Sequence, residues 1–203
     1  MGNYIITISR QYGSGGRIVG KKLAEQLGIN FYDREIIATL TSRDGLSKEY
    51  IEEMEHTKPS GFLYNMYMNS FGGENILPMP EQIFVEESGI IKDIQAKESA
   101  IIIGRCSDYV LQDYDHVLNV FFSAPMDYRI EFAKNELGWG QIKNLEHHIK
   151  KLDRSREQYY YYFTGRHWGK AENYNLCIDG SMGVDACVDL LNYSKDVYLN
   201  AGK

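Results

Sequence analysis

The sequence predicts an α/β domain built on a parallel β-sheet with helices on both faces. Short, continuous β-branched runs recur along the chain, helical segments separate them, and the first run turns through a glycine-rich loop directly into an amphipathic helix. The 203 residues suffice for one domain with a substantial core, and no composition break marks a second unit.

Taken in order, Tyr4-Ile5-Ile6-Thr7-Ile8 is too short for a helix and too uniformly apolar for a half-exposed strand, so it predicts a strand buried on both faces. Beyond the glycines, Ile18, Val19, Leu23, Ala24 and Leu27 recur at helical spacing, and Gly28 supplies a stop. Asn30-Phe31-Tyr32 predicts a short strand before a helix starting near Asp33. Ala100-Ile101-Ile102-Ile103-Gly104 and Val117-Leu118-Asn119-Val120-Phe121-Phe122 predict two further buried strands, and Tyr174-Asn175-Leu176-Cys177-Ile178-Asp179 a weaker one. Ser181 is placed to cap a last helix in which Val184, Val188 and Leu191 face inward.

Two stretches depart from this alternation and are candidate lids. Residues 56–80 carry Pro59, Gly61, Gly72, Gly73, Pro78 and Pro80, which predicts an irregular insertion. Residues 139–173 hold a basic helical stretch and the tyrosine run 159–162, whose rings must project around a helix so that at least one leaves the core.

A net charge of -6 argues against broad, sequence-independent nucleic-acid binding, which needs a basic face to displace counterions. Cys106, Cys177 and Cys187 are odd in number and lack CxxC spacing, which predicts reduced thiols and a cytoplasmic setting. Neither a signal peptide nor a membrane-spanning run of about 20 apolar residues is expected. His147 and His148 are adjacent, cannot share a helix face and have no metal-ligand company, so no metal site is expected of them.

Chemistry concentrates in Ser9-Arg10-Gln11-Tyr12-Gly13-Ser14-Gly15-Gly16-Arg17. Glycines here permit positive φ and close approach, successive N–H groups point into the concavity, and the following helix adds positive potential at its amino end. A phosphate fits such a cradle, with Arg17 adding a charge-assisted contact unless it forms a surface ion pair instead. The spacing is not that of the dinucleotide fingerprint GxGxxG, because Ile18 stands at the third glycine. It matches the phosphate loop GxxxxGK[ST] only in part: with Gly15 as the second glycine, Arg10 stands at the first, Gly16 at the lysine and Arg17 at Ser/Thr.

The stretch ITISRQYGSGGRIVGKKLAEQLGINFYDREII resembles the opening of the cytidylate kinase-like family, a branch of the P-loop nucleoside monophosphate kinases. AIIIGRCSDYVLQDYDHVLNVFFSAPMDYRIEF is similar to the family's strand ending in Gly-Arg and the next strand and helix. Asp153-Arg154-Ser155-Arg156 resembles its arginine-bearing lid, and YNLCIDGSMGVDACVDLL its last strand and helix. The order of these segments carries much of the weight. Residues 44–98 are the least anchored.

The resemblance implies a three-layer P-loop fold in a single domain over residues 1–203, with an acceptor-binding insertion near 33–98 and a helical lid near 139–173. It implies an ATP-dependent transfer to a nucleoside monophosphate such as CMP, with Mg²⁺ bridging the ATP phosphates and nucleotides as the partners. Gly13, Ser14, Gly15, Gly16 and Arg17 would cradle ATP phosphates, and Arg129 would stack on adenine. Asp33, Arg34 and Arg105 would face the acceptor, with Asp153 beside them. Arg17, Arg154 and Arg156 would neutralise the transition state. The family has Asp after its Gly-Arg where this chain has Cys106, which removes a partner for the cytosine edge and leaves Asp108 as the nearby carboxylate.

Each residue also has a plainer reading: Asp33 as a helix cap, Arg105 as a structural arginine, and Arg154 and Arg156 as members of a solvated basic helix. Two other functions stay open. One is a nucleotide-sensing regulatory protein without turnover, motivated by the missing lysine and Ser/Thr, and the other is a kinase of another small molecule. Neither the oligomeric state nor the acceptor follows from the sequence.

Overall fold

The computed structural model describes residues 2–37 and 79–200. Strand β1 (Ile5–Arg10) leads to helix α1 (Gly16–Leu27) and strand β2 (Asn30–Tyr32), after which a helical turn begins at residue 34. Then come α2 (Met79–Lys97), β3 (Ala100–Ile103), the short α3 (Ser107–Val110), β4 (Val117–Ser123), α4 (Met126–Glu136), α5 (Leu145–Thr164), β5 (Leu176–Asp179) and α6 (Val184–Asn200). Of the irregular insertion expected at 56–80, residues 56–78 lie outside the described residues, and residues 79 and 80 open α2 instead. Pro80 suits that position, because the N–H it lacks has no partner in a first helical turn.

The strands form one parallel sheet in the order β2-β3-β1-β4-β5, with β1 paired to β4 along its length and to β3 from Ile5 to Ile8. Alternation within β1 explains its uniform apolarity. Ile6 and Ile8 join Ile101, Ile103, Val120 and Phe122 under α1 and α6, whereas Ile5 joins Ala100, Ile102 and the α2 residues Ile91 and Ile94 on the opposite face. Helices on both faces of a parallel sheet make the three-layer α/β fold that the sequence predicts. Thr7, one of two buried polar residues of this strand with Ser9, donates its hydroxyl to Asn119 Oδ1 at 2.6 Å.

One local expectation is corrected. Ser181 does not cap α6: it lies within the 3₁₀ turn Gly180–Met182, where its own N–H donates to Asp179 Oδ1 at 2.9 Å. Gly183, at φ 93°, then leads into the helix, a backbone conformation that a serine cap would not supply.

Candidate functional site

The carboxyl ends of β1 and β3 meet beneath α5, and the glycine loop occupies one side of that junction. Gly13 and Gly15 have φ of 75° and 81°, which favours glycine on backbone grounds alone. Space adds to this at Gly13, where a Cβ would lie 2.5 Å from the Arg129 carbonyl oxygen. The loop is pinned from several directions. Arg129 Nε donates to the Tyr12 carbonyl at 2.6 Å, Asp153 Oδ1 accepts the Tyr12 N–H at 2.9 Å, and Arg129 pairs with Asp153. The buried Ser14 donates its hydroxyl to the Gln11 carbonyl at 2.8 Å, and Gly180 packs directly on the Ser14 carbonyl. What remains open is the concave side: the N–H groups of Gly13, Gly15, Gly16, Arg17 and Ile18 donate to no protein acceptor among the described residues. Such a preformed set of unsatisfied donors at a helix amino terminus fits a phosphate.

Beside the loop lies a cavity of about 130 Å³ lined by Arg10, Arg34, Arg105 and Arg156, with Gly104 and Tyr159 in its wall. The chain reaches it through an unusual bend: Gly104, Arg105 and Cys106 follow one another with φ of 72°, 57° and 53°. Two non-glycine residues in this region store strain that the surroundings must hold. The hold is a buried ion pair between Arg105 and Glu87 of α2, with the Arg105 guanidinium 5.4 Å from the centre of the Tyr159 ring. From α5, Arg156 stacks 3.5 Å over the Tyr12 ring and donates from Nη1 to the Arg10 carbonyl at 2.6 Å. Burial pushes the Arg10 guanidinium well below its ordinary value, with the Arg156 charge adding to that effect, and burial likewise pushes Arg156 down.

The expected site residues fall into distinct places. Arg34, Arg105 and Arg156 share the cavity, and residues 13–17 supply the cradle backbone. Arg17 turns its guanidinium to Asp33, with Nε 3.1 Å from Oδ2, so its side chain leaves the concave side. Asp33 is 5% exposed and its Oδ1 caps the following turn by accepting the N–H groups of Glu35 and Ile36, so the helix-cap reading is the one observed.

The expectation for Arg129 is corrected. At 4% exposure, with its donors on Tyr12 and Asp153, it has no open face on which adenine could stack. Asp153 is occupied by the same contacts and faces the loop rather than a ligand. Arg154 is exposed and lies off the cavity, because two residues along a helix is about 200° of rotation from Arg156. Asp108 is also moved: it is buried beside Tyr160, whose hydroxyl donates to Oδ2 at 2.6 Å, and burial pushes its carboxyl above the ordinary range.

Sequence reasoning missed Arg10, Tyr12, Glu87 and Tyr159. Arg10 carried a signal as the residue standing where the usual loop has its first glycine, Tyr12 as a member of that loop and Tyr159 as the first of the tyrosine run, whereas Glu87 carried none. Among the described residues no group of three or more His, Cys, Asp or Glu side chains is arranged to hold a metal, and no helix is long and apolar enough to cross a membrane.

Comparison with known proteins bears on this geometry. The model of a family described as the cytidylate kinase-like family matches residues 5–182. No curated protein matches the chain. Among solved structures, an uncharacterized protein from Eubacterium ventriosum ATCC 27560 is 24% identical with a TM-score of 0.70, the match covering 96% of this chain and 99% of that one. Shikimate kinase from Acinetobacter baumannii, solved in complex with shikimate, is 16% identical with a TM-score of 0.50 over 98% of this chain and 94% of its own. A gluconokinase from Sinorhizobium meliloti 1021 is 14% identical with a TM-score of 0.51, over 98% and 97%. At these identities the structural likenesses establish the fold, a three-layer α/β arrangement shared with P-loop kinases.

Proposed function

The chain belongs to the cytidylate kinase-like family, and from that premise we propose that it is an ATP-dependent phosphotransferase whose acceptor is a nucleoside monophosphate, CMP being the first candidate. The observation that carries this reading is the juxtaposition of an open N–H cradle with an arginine-lined cavity at the carboxyl ends of β1 and β3. The cradle suits the phosphates of ATP. The cavity suits an anionic acceptor, with Arg34 and Arg105 as the acceptor's contacts and Arg156, delivered by α5, at the transferring group.

Phosphoryl transfer asks little covalent chemistry of a protein and depends on alignment and charge neutralisation. An acceptor phosphate oxygen attacks the γ-phosphorus, the bond from that phosphorus to the β,γ-bridging oxygen breaks, and ADP leaves with the electron pair. A phosphate acceptor is already an anionic nucleophile, so no general base is required. Mg²⁺, when it accompanies ATP, neutralises phosphate charge. The loop does not fit a protein-held metal: Arg17 replaces the usual hydroxyl residue, and the Ser14 hydroxyl is buried and donates to Gln11. Neutralisation by this chain therefore rests on N–H groups and guanidinium groups. Cys106, Cys177 and Cys187 are all free thiols, Cys177 being exposed, which supports a reducing, cytoplasmic setting.

Gly16 in place of lysine, together with Arg17 turned toward Asp33, favours one competing reading, a nucleotide sensor that binds without turnover. A coupled assay of ADP release with ATP, Mg²⁺ and a panel of nucleoside monophosphates and non-nucleotide small-molecule acceptors separates the two. Turnover with at least one monophosphate is expected. ATP binding without turnover on any acceptor would overturn the kinase reading in favour of the sensor, and turnover only with a non-nucleotide acceptor would overturn the substrate class.

A further inference from the structure

The site arginines divide by their partners. Arg17 is paired with Asp33, Arg105 with Glu87 and Arg129 with Asp153. Arg10 and Arg156 have no carboxylate in an ion pair among the described residues, although they are neighbours at one cavity. Like charges placed together away from bulk water destabilise one another unless an anion joins them. Two guanidinium groups facing one cavity, with Asp33 acting on Arg10 and Asp153 on Arg156 but neither carboxylate in an ion pair with them, therefore describe an anion site in the unliganded state.

The geometry also connects this pair with the loop's missing lysine. Gly16 stands at the lysine position, and a Cβ there would lie 3.0 Å from Arg10 Cβ and 3.0 Å from both Cβ and Cγ of Phe122. A side chain at residue 16 and the present Arg10 thus compete for space. On the other side, a Cβ at Gly104 would lie 2.6 Å from Arg10 Nη1, so the glycine after β3 leaves room for the guanidinium. The absence of a side chain at 16 and the presence of one at 10 belong to a single packing arrangement.

We propose that Arg10, together with Arg156, supplies the cation that a lysine supplies in the usual phosphate loop, and that the pair binds the terminal phosphoryl group of the donor nucleotide. Guanidinium groups suit this task because they stay charged and present several N–H donors to phosphate oxygens. The proposal rests on the donor-site assignment of the kinase reading but does not require turnover.

Calorimetric titration of the full chain with ATP and with ADP, each with Mg²⁺, provides the test. Wild type should prefer ATP. Arg10→Met should weaken ATP by about 10- to 100-fold, the range for losing hydrogen bonds to a charged group, while ADP changes by less than about 3-fold. Its melting temperature without ligand should hold or rise, since one of two repelling charges is removed, whereas a merely structural arginine would lower it. Arg10→Lys keeps a cation and should retain part of the ATP preference, which also serves if the Met variant fails to fold. Equal weakening of ATP and ADP, or an unchanged ratio, would overturn the proposal even where turnover on a nucleoside monophosphate is observed. Conversely, an ATP preference lost in Arg10→Met would sustain it even with no turnover. Failure of wild type to bind either nucleotide would overturn both readings.

Discussion

The cradle and the cavity lie side by side and are built on opposite physical principles. The cradle presents backbone N–H groups held by packing, a neutral hydrogen bond and a closed ion pair: Gly180 on the Ser14 carbonyl, the Ser14 hydroxyl on Gln11, and Arg129–Asp153 against Tyr12. Dipoles of this kind carry no net charge to desolvate, so the loop is stable when empty. The cavity presents whole guanidinium charges, and each must be balanced by a carboxylate or left wanting an anion. The difference teaches that the cradle should be sensitive to shape and the cavity to charge.

The largest effect should come from breaking the charge balance. Glu87→Ala removes the carboxylate that pairs with the buried Arg105 guanidinium, and removing one member of a buried pair costs about 3–5 kcal/mol. Urea denaturation should show that loss, and acceptor KM should rise in whatever fraction remains folded. An unchanged midpoint would mean that Arg105 finds another partner, and the contrast between cradle and cavity would fail on its cavity side.

Shape is tested at Gly180. Because a Cβ there would collide with the Ser14 carbonyl, which is backbone and cannot swing aside, Gly180→Ala should displace the loop. Misplacement by about 1 Å lowers rates on the order of 100-fold, so kcat/KM for ATP should fall by about that factor with the net charge unchanged. Normal kinetics in this variant would show that the cradle tolerates movement, and the distinction between shape and charge would then be lost.

How much of this was legible in the sequence follows the same division. The strands at 100–103 and 117–123 were readable because burial on both faces demands nearly uninterrupted apolar runs, and the cradle was readable because positive φ selects glycine. The roles of the arginines were not. Arg129 resembles a ligand contact until Asp153, 24 residues away, is seen to close on it, and Glu87 gives no sign in sequence that it meets Arg105. Ser181 suits a helix cap by residue type, but the Asp179 carboxylate two residues earlier takes its N–H into a 3₁₀ turn. Partners distant along the chain decide what a charged residue does. Local patterns do not record them.

Arg154 and Arg156 make the finest test, since they belong to one helix, have the same side chain and stand two positions apart. Composition and spacing treat them alike. Arg156 reaches the Arg10 carbonyl and the Tyr12 ring, whereas Arg154 is exposed and touches neither wall of the cavity. Arg154→Ala should therefore change stability by no more than about 0.5 kcal/mol, as surface substitutions usually do, and should alter kcat/KM by less than about 2-fold. Arg156→Ala in the same assay supplies the contrast, with a loss confined to the transferring group rather than to ADP binding. If the two variants lose activity equally, α5 must rotate or shift during the reaction to present both side chains, and the division between a cavity face and a solvent face would hold only for the unliganded protein.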